Sequence, residues 1–224
     1  MCDTAGIIFG VKNFSKEEIE GKRIIEVGSF DENGSLRPFI ESLNPREYIG
    51  IDIKEGPGVD MICSVEEMVE KFGRESFDII ISTELLEHVR DYKRGIANIK
   101  NICKLGGTVF ITTRSYGFLY HGFPSDYWRF EASDLEYIFS DCLIEKIEKD
   151  KYSPGVFIKV RKPKDFKEND LASLELYSII LDKRTKEIKP KDINIFQKRK
   201  NRNQRVKKII NDIGKLFYRI VERF

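Results

Sequence analysis

The stretch IIEVGSFDENGSLRPFI, residues 24–40, decides the fold of this chain. Residues 23–28 predict a buried strand, Gly28 and Gly34 predict a turn, and residues 35–43 have the spacing of an amphipathic helix. A strand that ends in a glycine turn and leads into a helix is typical of a nucleotide pocket. These glycines match neither the dinucleotide GxGxxG nor a phosphate loop ending in Gly-Lys-Ser. The acidic residues Asp31 and Glu32 within the turn would repel a phosphate, so we expect a ligand without a phosphate group at this turn.

Strands and helices alternate outward from this stretch. Four further strands are predicted at EYIGIDI, in GPGVDMI, at SFDIIIST and at TVFITTR. Helical sequence follows most of them. The last two strands, CLIEKIEKD and GVFIKVRK, are predicted to form an antiparallel pair. This order predicts an α/β protein with a Rossmann-like, doubly wound sheet whose last strand is antiparallel. We place this domain at residues 1–163 and a basic, helical C-terminal extension at residues 164–224.

Composition limits the class of protein. The chain has 224 residues, of which 34% are charged, and its four cysteines form no CxxC pair. We therefore expect neither a zinc site nor a disulfide framework, and no metal. The sequence shows no signal-peptide pattern and no apolar run of about 18 residues. These features predict a cytoplasmic protein, with a location at the membrane periphery left open by the basic tail.

An acidic residue closes the second predicted strand. Asp52 follows Gly28 by 24 residues, which is the order and spacing of a ribose-binding acid. A carboxylate suits this role because it only accepts hydrogen bonds and can take both vicinal hydroxyls. The alternative is that Asp52 caps a turn before Gly56, and the glycine turn upstream favours the ribose site.

Four motifs together carry a resemblance to a known family. EVGSFDENG, YIGIDIKEGPGVDMI, FDIIISTELLEHV and LGGTVFITT occur in the order and spacing of class I S-adenosylmethionine-dependent methyltransferases, and look most like the small-molecule branch called type 11. The resemblance covers residues 20–162 and implies a seven-stranded sheet with a reversed last strand. It implies S-adenosylmethionine as cofactor. By position, the cofactor-binding residues that it implies are Glu26, Gly28, Ser29, Gly34, Asp52, Ile53, Ser64, Thr83 and Glu84.

Two positions depart from the family pattern. Ser29-Phe30 replaces the usual middle glycine of the first motif, and Ser64 stands where the family often has an aspartate that binds the adenine amino group. A hydroxyl can substitute for that contact. The turn is then expected to hold a nucleoside that carries no phosphate and bears a positively charged sulfur.

The candidate catalytic and acceptor residues follow the fourth and fifth predicted strands. The two histidines, His88 and His121, are the candidate general bases. The loop SYGFLYHGFPSDYWRFEASDL, residues 115–135, holds seven aromatic residues and predicts a lid or substrate wall. Similar loops occur in methyltransferases of glycan and natural-product pathways. The substrate-side candidates are Asp126, Tyr127, Trp128 and Arg129. The alternatives are that Glu87 and His88 hold a helix start, that Trp128 anchors the loop, and that Arg129 pairs with Asp126.

The tail differs in charge from the rest of the chain. Residues 198–224 contain ten basic and two acidic residues, although the whole chain has a net charge of only +2. From Val206 the apolar residues follow a helical stripe. Three partners stay open: packing or a homodimer through this helix, an anionic membrane surface, and, less favoured, a nucleic acid. Residues 168–184 predict a further helix that could pair with it.

The leading hypothesis is a methyltransferase that acts on a hydroxyl or amine of a small molecule, with a sugar or lipid-linked glycan as one acceptor class. One alternative is an RNA methyltransferase that uses the basic tail. The other is a binding protein that keeps the cofactor site without catalysis and docks through its tail. The chain lacks the Asn/Asp-Pro-Pro-aromatic turn of base amino-methylation and a nucleophilic cysteine after a proline, which argues against two nucleic-acid chemistries.

Overall fold

We describe a computed structural model that covers residues 3–122 and 125–221, without the side chains of residues 209 and 211–221. The helices are α1 (Thr4–Asn13), α2 (Lys16–Ile19), α3 (Arg37–Ser42), α4 (Met68–Phe72), α5 (Tyr92–Ile102), α6 (Ala132–Ile138) and α7 (Pro190–Val221). The strands are β1 (Arg23–Val27), β2 (Glu47–Asp52), β3 (Met61–Ile62), β4 (Phe77–Thr83), β5 (Cys103–Arg114), β6 (Trp128–Arg129), β7 (Leu143–Lys149), β8 (Gly155–Arg161), β9 (Leu176–Ser178) and β10 (Lys183–Thr185). A 3-10 turn at Leu86–His88 follows β4.

Within the described residues, seven strands form one sheet in the order β3-β2-β1-β4-β5-β8-β7. The strands from β3 to β5 are parallel, and β8 runs antiparallel to both β5 and β7. The predicted fold class is therefore confirmed. Parallel strands align their carboxyl ends, so the turns after β1, β2 and β4 meet at one edge of the sheet.

Two apolar clusters cover the faces of the sheet. The larger one packs α5, α6 and the segments around β6 and β9 on one face, and the smaller one packs α1, α2 and α3 on the other. Ile80 on β4 belongs to the first cluster, and its neighbours Ile79 and Ile81 belong to the second. This alternation is what a strand covered on both faces requires.

The prediction of a helix over residues 168–184 is wrong. A second, three-stranded sheet in the order β10-β9-β6 occupies this region, and β9 pairs with β6 of the aromatic loop. Burial alternates along this segment in the structure: Leu174, Leu176 and Ser178 are buried, whereas the intervening residues are more exposed. Asp182, with a φ of 54°, makes the tight turn between the strands.

The C-terminal extension is therefore only partly helical. Leu171, Leu174, Leu176 and Ile188 belong to the core of the main domain, so the first part of the extension packs on that domain. Helix α7 begins at Pro190, where proline is favoured because its missing N–H has no partner in a first turn. The side chains of most of the predicted apolar stripe (209, 213, 216, 217, 220, 221 and 224) lie outside the described residues. No helix in the described part of the chain is long and apolar enough to cross a membrane.

Candidate functional site

A cavity of about 320 Å³ opens at the carboxyl edge of the sheet. It lies between the turns after β1 and β2, the turn after β4, and the loop before β6. Seven of the residues predicted from the sequence line it: Gly28, Asp52, Ile53, Ser64, Glu84, His88 and Tyr127. The other predicted residues are not among its lining: Glu26, Ser29, Gly34, Thr83, His121, Asp126, Trp128 and Arg129.

The turn after β1 is built around Gly28. Its φ is +82°, which side chains rarely adopt, and a Cβ placed there would lie 3.0 Å from Cβ of Leu85. The backbone N–H groups of Gly28 and Ser29 both donate to the carbonyl oxygen of Ile51, at 2.9 and 3.0 Å. These bonds hold the turn against the end of β2, so the first glycine and Asp52 are neighbours, as the sequence predicts.

Ser29 and Gly34 support the turn from outside the cavity. The Ser29 side chain is buried against β2, where its Oγ would lie 2.7 Å from a Cβ added to Gly50. The Gly34 N–H donates to Oδ1 of Asp31 at 2.9 Å, which closes the turn before α3. Both positions therefore shape the backbone, and neither residue lines the cavity.

The Asp52 carboxylate lies between the first two turns at the cavity wall. Its Oδ1 accepts a hydrogen bond from Lys54 N at 3.1 Å, and its Oδ2 accepts one from Phe30 N at 3.4 Å. Two backbone donors therefore orient the carboxylate, which keeps further acceptor capacity for a ligand. Ile53, which is exposed, and Ser64, whose Oγ caps Glu66 N at 3.1 Å, continue the same wall.

Glu26 lies within the sheet, away from the cavity. It is 2% exposed, and its Oε2 accepts a hydrogen bond from Tyr48 Oη at 2.8 Å. Burial raises the pKa of Glu26 from its ordinary value of 4.5 to about 7, although the Tyr48 hydrogen bond acts in the opposite direction. The predicted contact of this carboxylate with a bound amino group remains a prediction.

We expect the Glu26→Gln variant to change how stability depends on pH. Because the folded-state pKa is raised, the unfolded chain releases the Glu26 proton first, and the native protein loses stability as pH rises from about 4.5 to about 7. Relative to wild type, Glu26→Gln should gain about 3 kcal/mol in free energy of unfolding between pH 4 and pH 8. Denaturant titrations across this range measure the gain. An exposed control, Glu55→Gln, should show no such trend, and a pH-independent effect of Glu26→Gln would contradict the assignment.

Glu84 closes the end of the cavity next to β4. It has a φ of 53°, is almost fully buried, and forms an ion pair with Arg114 at the end of β5. Arg114 also contacts Asp3 Oδ2 at 3.0 Å and Asp150 Oδ2 at 3.8 Å. Burial raises the pKa of Glu84, the Glu87 carboxylate raises it further, and Arg114 opposes both. Several carboxylates therefore share the Arg114 guanidinium. Thr83, just before it, is buried within β4.

The two histidines meet beside the cavity. His88 Nε2 lies 3.0 Å from His121 Nε2, and the rings are 72° apart. His88 Nδ1 lies 2.6 Å from Ser125 O, and His121 Nδ1 lies 2.9 Å from Asp126 Oδ2. Both predicted bases therefore stand together, and His88 lines the cavity.

The remaining loop residues hold the loop in place. Trp128 is fully buried, and its Nε1 donates to the carbonyl oxygens of Val89 and Arg90, both at 3.1 Å. Arg129 is 1% exposed and binds the buried Asp126 with both terminal nitrogens. Trp128, Arg129 and Asp126 thus anchor the loop in this structure, and their predicted contact with a substrate stays a prediction. Tyr127 alone of the four lines the cavity.

Comparison with known proteins identifies the family. The family model described as "Methyltransferase domain" matches residues 7–151 of the chain. The chain belongs to the methyltransferase-domain family. The matched residues include β1 to β7 and every turn that lines the cavity.

Curated relatives of this methyltransferase domain are similar over shorter stretches. A human protein named "Ubiquinone biosynthesis O-methyltransferase, mitochondrial" is 31% identical over 93 residues, which cover 42% of this chain and 23% of that protein. "Phthiotriol/phenolphthiotriol dimycocerosates methyltransferase 1" of Mycobacterium ulcerans is 26% identical over 106 residues, or 42% of this chain and 38% of that protein. The match thus spans less than half of the length of these relatives.

Solved structures share the fold of the methyltransferase domain. An S-adenosylmethionine-dependent methyltransferase from Mesorhizobium loti superposes with a TM-score of 0.52 at 15% identity, covering 71% of this chain and 98% of that one. The Burkholderia thailandensis 1,6-didemethyltoxoflavin-N1-methyltransferase, solved with bound 1,6-didemethyltoxoflavin and S-adenosylhomocysteine, superposes with a TM-score of 0.54 at 13% identity, covering 71% of this chain and 76% of that one. At such identities the likeness concerns the fold alone.

Sequence reasoning missed Arg114 and Asp3 as contributors to this site, and it treated Glu87 only as part of a helix start. Arg114 ends β5 and joins Glu84 to Asp3 at the start of the described chain, and Glu87 lies next to both histidines. The signal for Arg114 was a lone charge at the carboxyl end of an apolar strand. Asp3 gave a weaker signal as the N-cap of α1, where its Oδ1 accepts from Gly6 N at 2.8 Å.

Proposed function

We propose that this protein transfers a methyl group from S-adenosylmethionine to an oxygen or nitrogen of a small molecule. The observation that carries the proposal is that Asp52, Gly28 and Glu84 line one cavity and follow the adjacent strands β2, β1 and β4 in that order. This order along one edge matches a ligand with a ribose at one end and a charged amino-acid group at the other. The acidic residues of the turn, Asp31 and Glu32, disfavour a phosphate there.

The residues present fit that cofactor. Asp52 would accept hydrogen bonds from the two ribose hydroxyls, and Ile53 and Ser64 would border the base. Glu84, which lies near further carboxylates, would face the ammonium group of the cofactor. Gly28 would let the backbone approach the cofactor closely. The cofactor supplies a methyl group already activated on a sulfonium.

The protein's own contribution is alignment and exclusion of water. Methyl transfer is an in-line displacement, so the acceptor must lie on the far side of the methyl group from the sulfur. His88 and Tyr127 border the cavity beyond Glu84, and the anchored loop carries His121 to the same place. We infer that the two histidines face the acceptor atom, which favours a hydroxyl acceptor because it must lose a proton. The name of the human O-methyltransferase relative is consistent with that acceptor class.

We expect Asp52→Ala to weaken S-adenosylmethionine binding by about 1–3 kcal/mol, a loss of roughly 5- to 150-fold in affinity, because two charge-assisted hydrogen bonds are lost. Isothermal titration of the full chain measures the effect. Glu55→Ala is the matched control, since Glu55 is an exposed carboxylate three residues away that does not line the cavity. Equal affinities of Asp52→Ala and wild type would refute the ribose assignment.

Turnover separates the enzyme from a binding protein. Incubation with S-adenosylmethionine and a panel of hydroxyl and amine acceptors, glycans included, should release S-adenosylhomocysteine with at least one class. Cofactor binding without turnover on any panel member would favour a catalytically lapsed docking protein. Turnover on RNA, lost with residues 198–224, would favour the nucleic-acid alternative.

The first turns of helix α7 contact the loop next to the proposed acceptor site. The Phe196 ring contacts the Tyr120 ring at 5.0 Å between centroids, and Lys200 Nζ lies 4.0 Å from the centre of the same ring. The first turns of α7 therefore pack on the loop that carries His121. Further along, exposed cations project from the helix at Arg202, Arg205, Lys207 and Lys208. A homodimer, an anionic membrane surface and a nucleic acid remain predicted partners of that part.

A further inference from the structure

The protonation of the histidine pair follows from the outer partners of its rings. His88 Nδ1 lies against the Ser125 carbonyl oxygen, which can only accept, so this nitrogen carries the proton of the neutral ring. Asp126 is fully buried, and its two carboxylate oxygens accept hydrogen bonds from the two terminal nitrogens of Arg129. Asp126 is therefore an anion, and His121 Nδ1 is the donor to it. In both neutral rings, Nε2 is left with a lone pair.

These two lone pairs point at the same place. At 3.0 Å the Nε2 atoms are at hydrogen-bond distance, yet neither has a proton to donate when both rings are neutral. Such a pair is stable only with a cation between the nitrogens, and the choices are a shared proton or a metal ion. The fixed Nδ1 partners resemble the outer contacts that orient metal-binding histidines in proteins.

A buried carboxylate stands beside the pair. Glu87 is fully buried, and its Oε2 accepts a hydrogen bond from Thr113 Oγ1 at 2.9 Å. Its Oε1 has no hydrogen-bond partner among the described residues. One ligand atom each from Glu87, His88 and His121 lie within 4.8 Å of one another. A buried carboxylate oxygen without a partner is costly, and a cation would satisfy it.

The Arg114 guanidinium is already paired with other carboxylates. Arg114 forms ion pairs with Glu84, Asp3 and Asp150, so one positive charge is shared among three carboxylates. The pair Lys100–Asp141 and the pair Arg129–Asp126 are local to their own partners. Among the described residues, Glu87 forms no ion pair with a lysine or arginine, which leaves its carboxylate available to a bound cation.

We propose that Glu87, His88 and His121 bind a divalent transition-metal ion of the zinc class. Two imidazole nitrogens and one carboxylate oxygen are a ligand set that zinc accepts and that magnesium disfavours. Tetrahedral coordination with Zn–N bonds of about 2.0–2.1 Å places two ligand nitrogens roughly 3.3 Å apart, close to the observed separation. Three protein ligands leave a fourth position open, and because His88 lines the cavity, that position would lie next to the proposed methyl-donor site.

The role of the ion rests on the proposed function, although its binding does not. An acceptor hydroxyl in the fourth position would ionise near neutral pH, with its proton released to water, and its oxygen would be held for displacement. The histidines then act as ligands rather than as a free base. The expectation of no metal rested on residues that are close in the sequence, whereas His88 and His121 come together from a 3-10 turn and a distant loop.

The test is metal binding by the chelator-treated full chain without S-adenosylmethionine. Titration with Co²⁺ should give one saturable site with the visible absorption of tetrahedral cobalt, displaced by Zn²⁺ and unaffected by Mg²⁺. His121→Ala and Glu87→Gln should each weaken binding at least 10-fold. Cys63→Ser is the control, because Cys63 lines the cavity but is not a ligand in this site. Unchanged binding in His121→Ala, or binding abolished by Cys63→Ser, would overturn the proposal.

A second measurement uses the wild-type chain, in case the variants fold poorly. The chain has only two histidines, so its imidazole nitrogen resonances report this site alone. Zn²⁺ should shift the Nε2 resonance of both rings and leave both Nδ1 atoms protonated. Resonances that stay unchanged at saturating Zn²⁺, with one proton shared between the rings, would overturn the proposal. Because cofactor affinity is titrated separately, the metal site and the cofactor site can fail independently.

Discussion

Replacing Trp128 with alanine is expected to lower the free energy of unfolding by about 3–5 kcal/mol, the largest effect we predict for one substitution. The side chain is fully buried, and its ring packs edge-on against Tyr92 at 4.9 Å between centroids. Its Nε1 also donates to the carbonyl oxygens of Val89 and Arg90, which follow the 3-10 turn that carries His88. Alanine would leave a cavity and two carbonyls without this donor.

Denaturant unfolding of three variants tests the role of Trp128. Trp128→Phe keeps most of the apolar volume and loses only the N–H donor, so its loss of stability should be smaller than that of the alanine variant. Tyr152→Ala, at a side chain that is 83% exposed, should change stability little. If Trp128→Ala cost no more than Tyr152→Ala, the anchoring role of the ring would be wrong.

Replacing Gly28 with alanine is the second large effect. The φ of +82° costs a non-glycine residue about 1–2 kcal/mol, and the added Cβ would lie 3.0 Å from Leu85 Cβ, an atom fixed by its own backbone. The turn must move to relieve this contact, which adds about 1–3 kcal/mol to the loss in free energy of unfolding. We also expect S-adenosylmethionine affinity to fall at least 10-fold, since this turn forms the cavity wall.

Gly106→Ala is the matched control for this variant. Gly106 has a similar φ of +78°, but a Cβ there would meet nothing within 4 Å. It therefore carries the backbone cost alone and lies away from the cavity. Unfolding and cofactor titrations of the two variants isolate the effect of the crowded turn. Equal losses of stability, with cofactor affinity unchanged in both, would contradict the close approach inferred at Gly28.

The parts of the fold that the sequence predicted correctly are those with strong local signals. The β1 turn and the acid after β2 are encoded by contiguous motifs, so the neighbourhood of Gly28 and Asp52 could be derived from spacing. The hairpin β9–β10 was mistaken for a helix because three-residue strands are too short to establish a period. Its strand character depends on pairing with β6, which is distant in the sequence.

The site was predicted less completely than the fold. His88 and His121 follow neighbouring strands, β4 and β5, so a common edge was foreseeable, but their contact depends on the path of a long loop. That path is fixed by Trp128, Arg129 and Asp126, whose burial no local pattern reveals. Aromatic and charged residues in a loop look alike in sequence whether they contact a ligand or anchor the chain.

The most direct measurement of the central claim is a crystal structure of the full chain with S-adenosylhomocysteine. We predict that both ribose hydroxyls will lie within hydrogen-bond distance of the Asp52 carboxylate and that the sulfur will face the side of the cavity where His88 and His121 meet. An Asp52 carboxylate turned to solvent at full occupancy of the ligand, or a ligand bound elsewhere while Leu85 and Phe30 fill the cavity, would contradict the account.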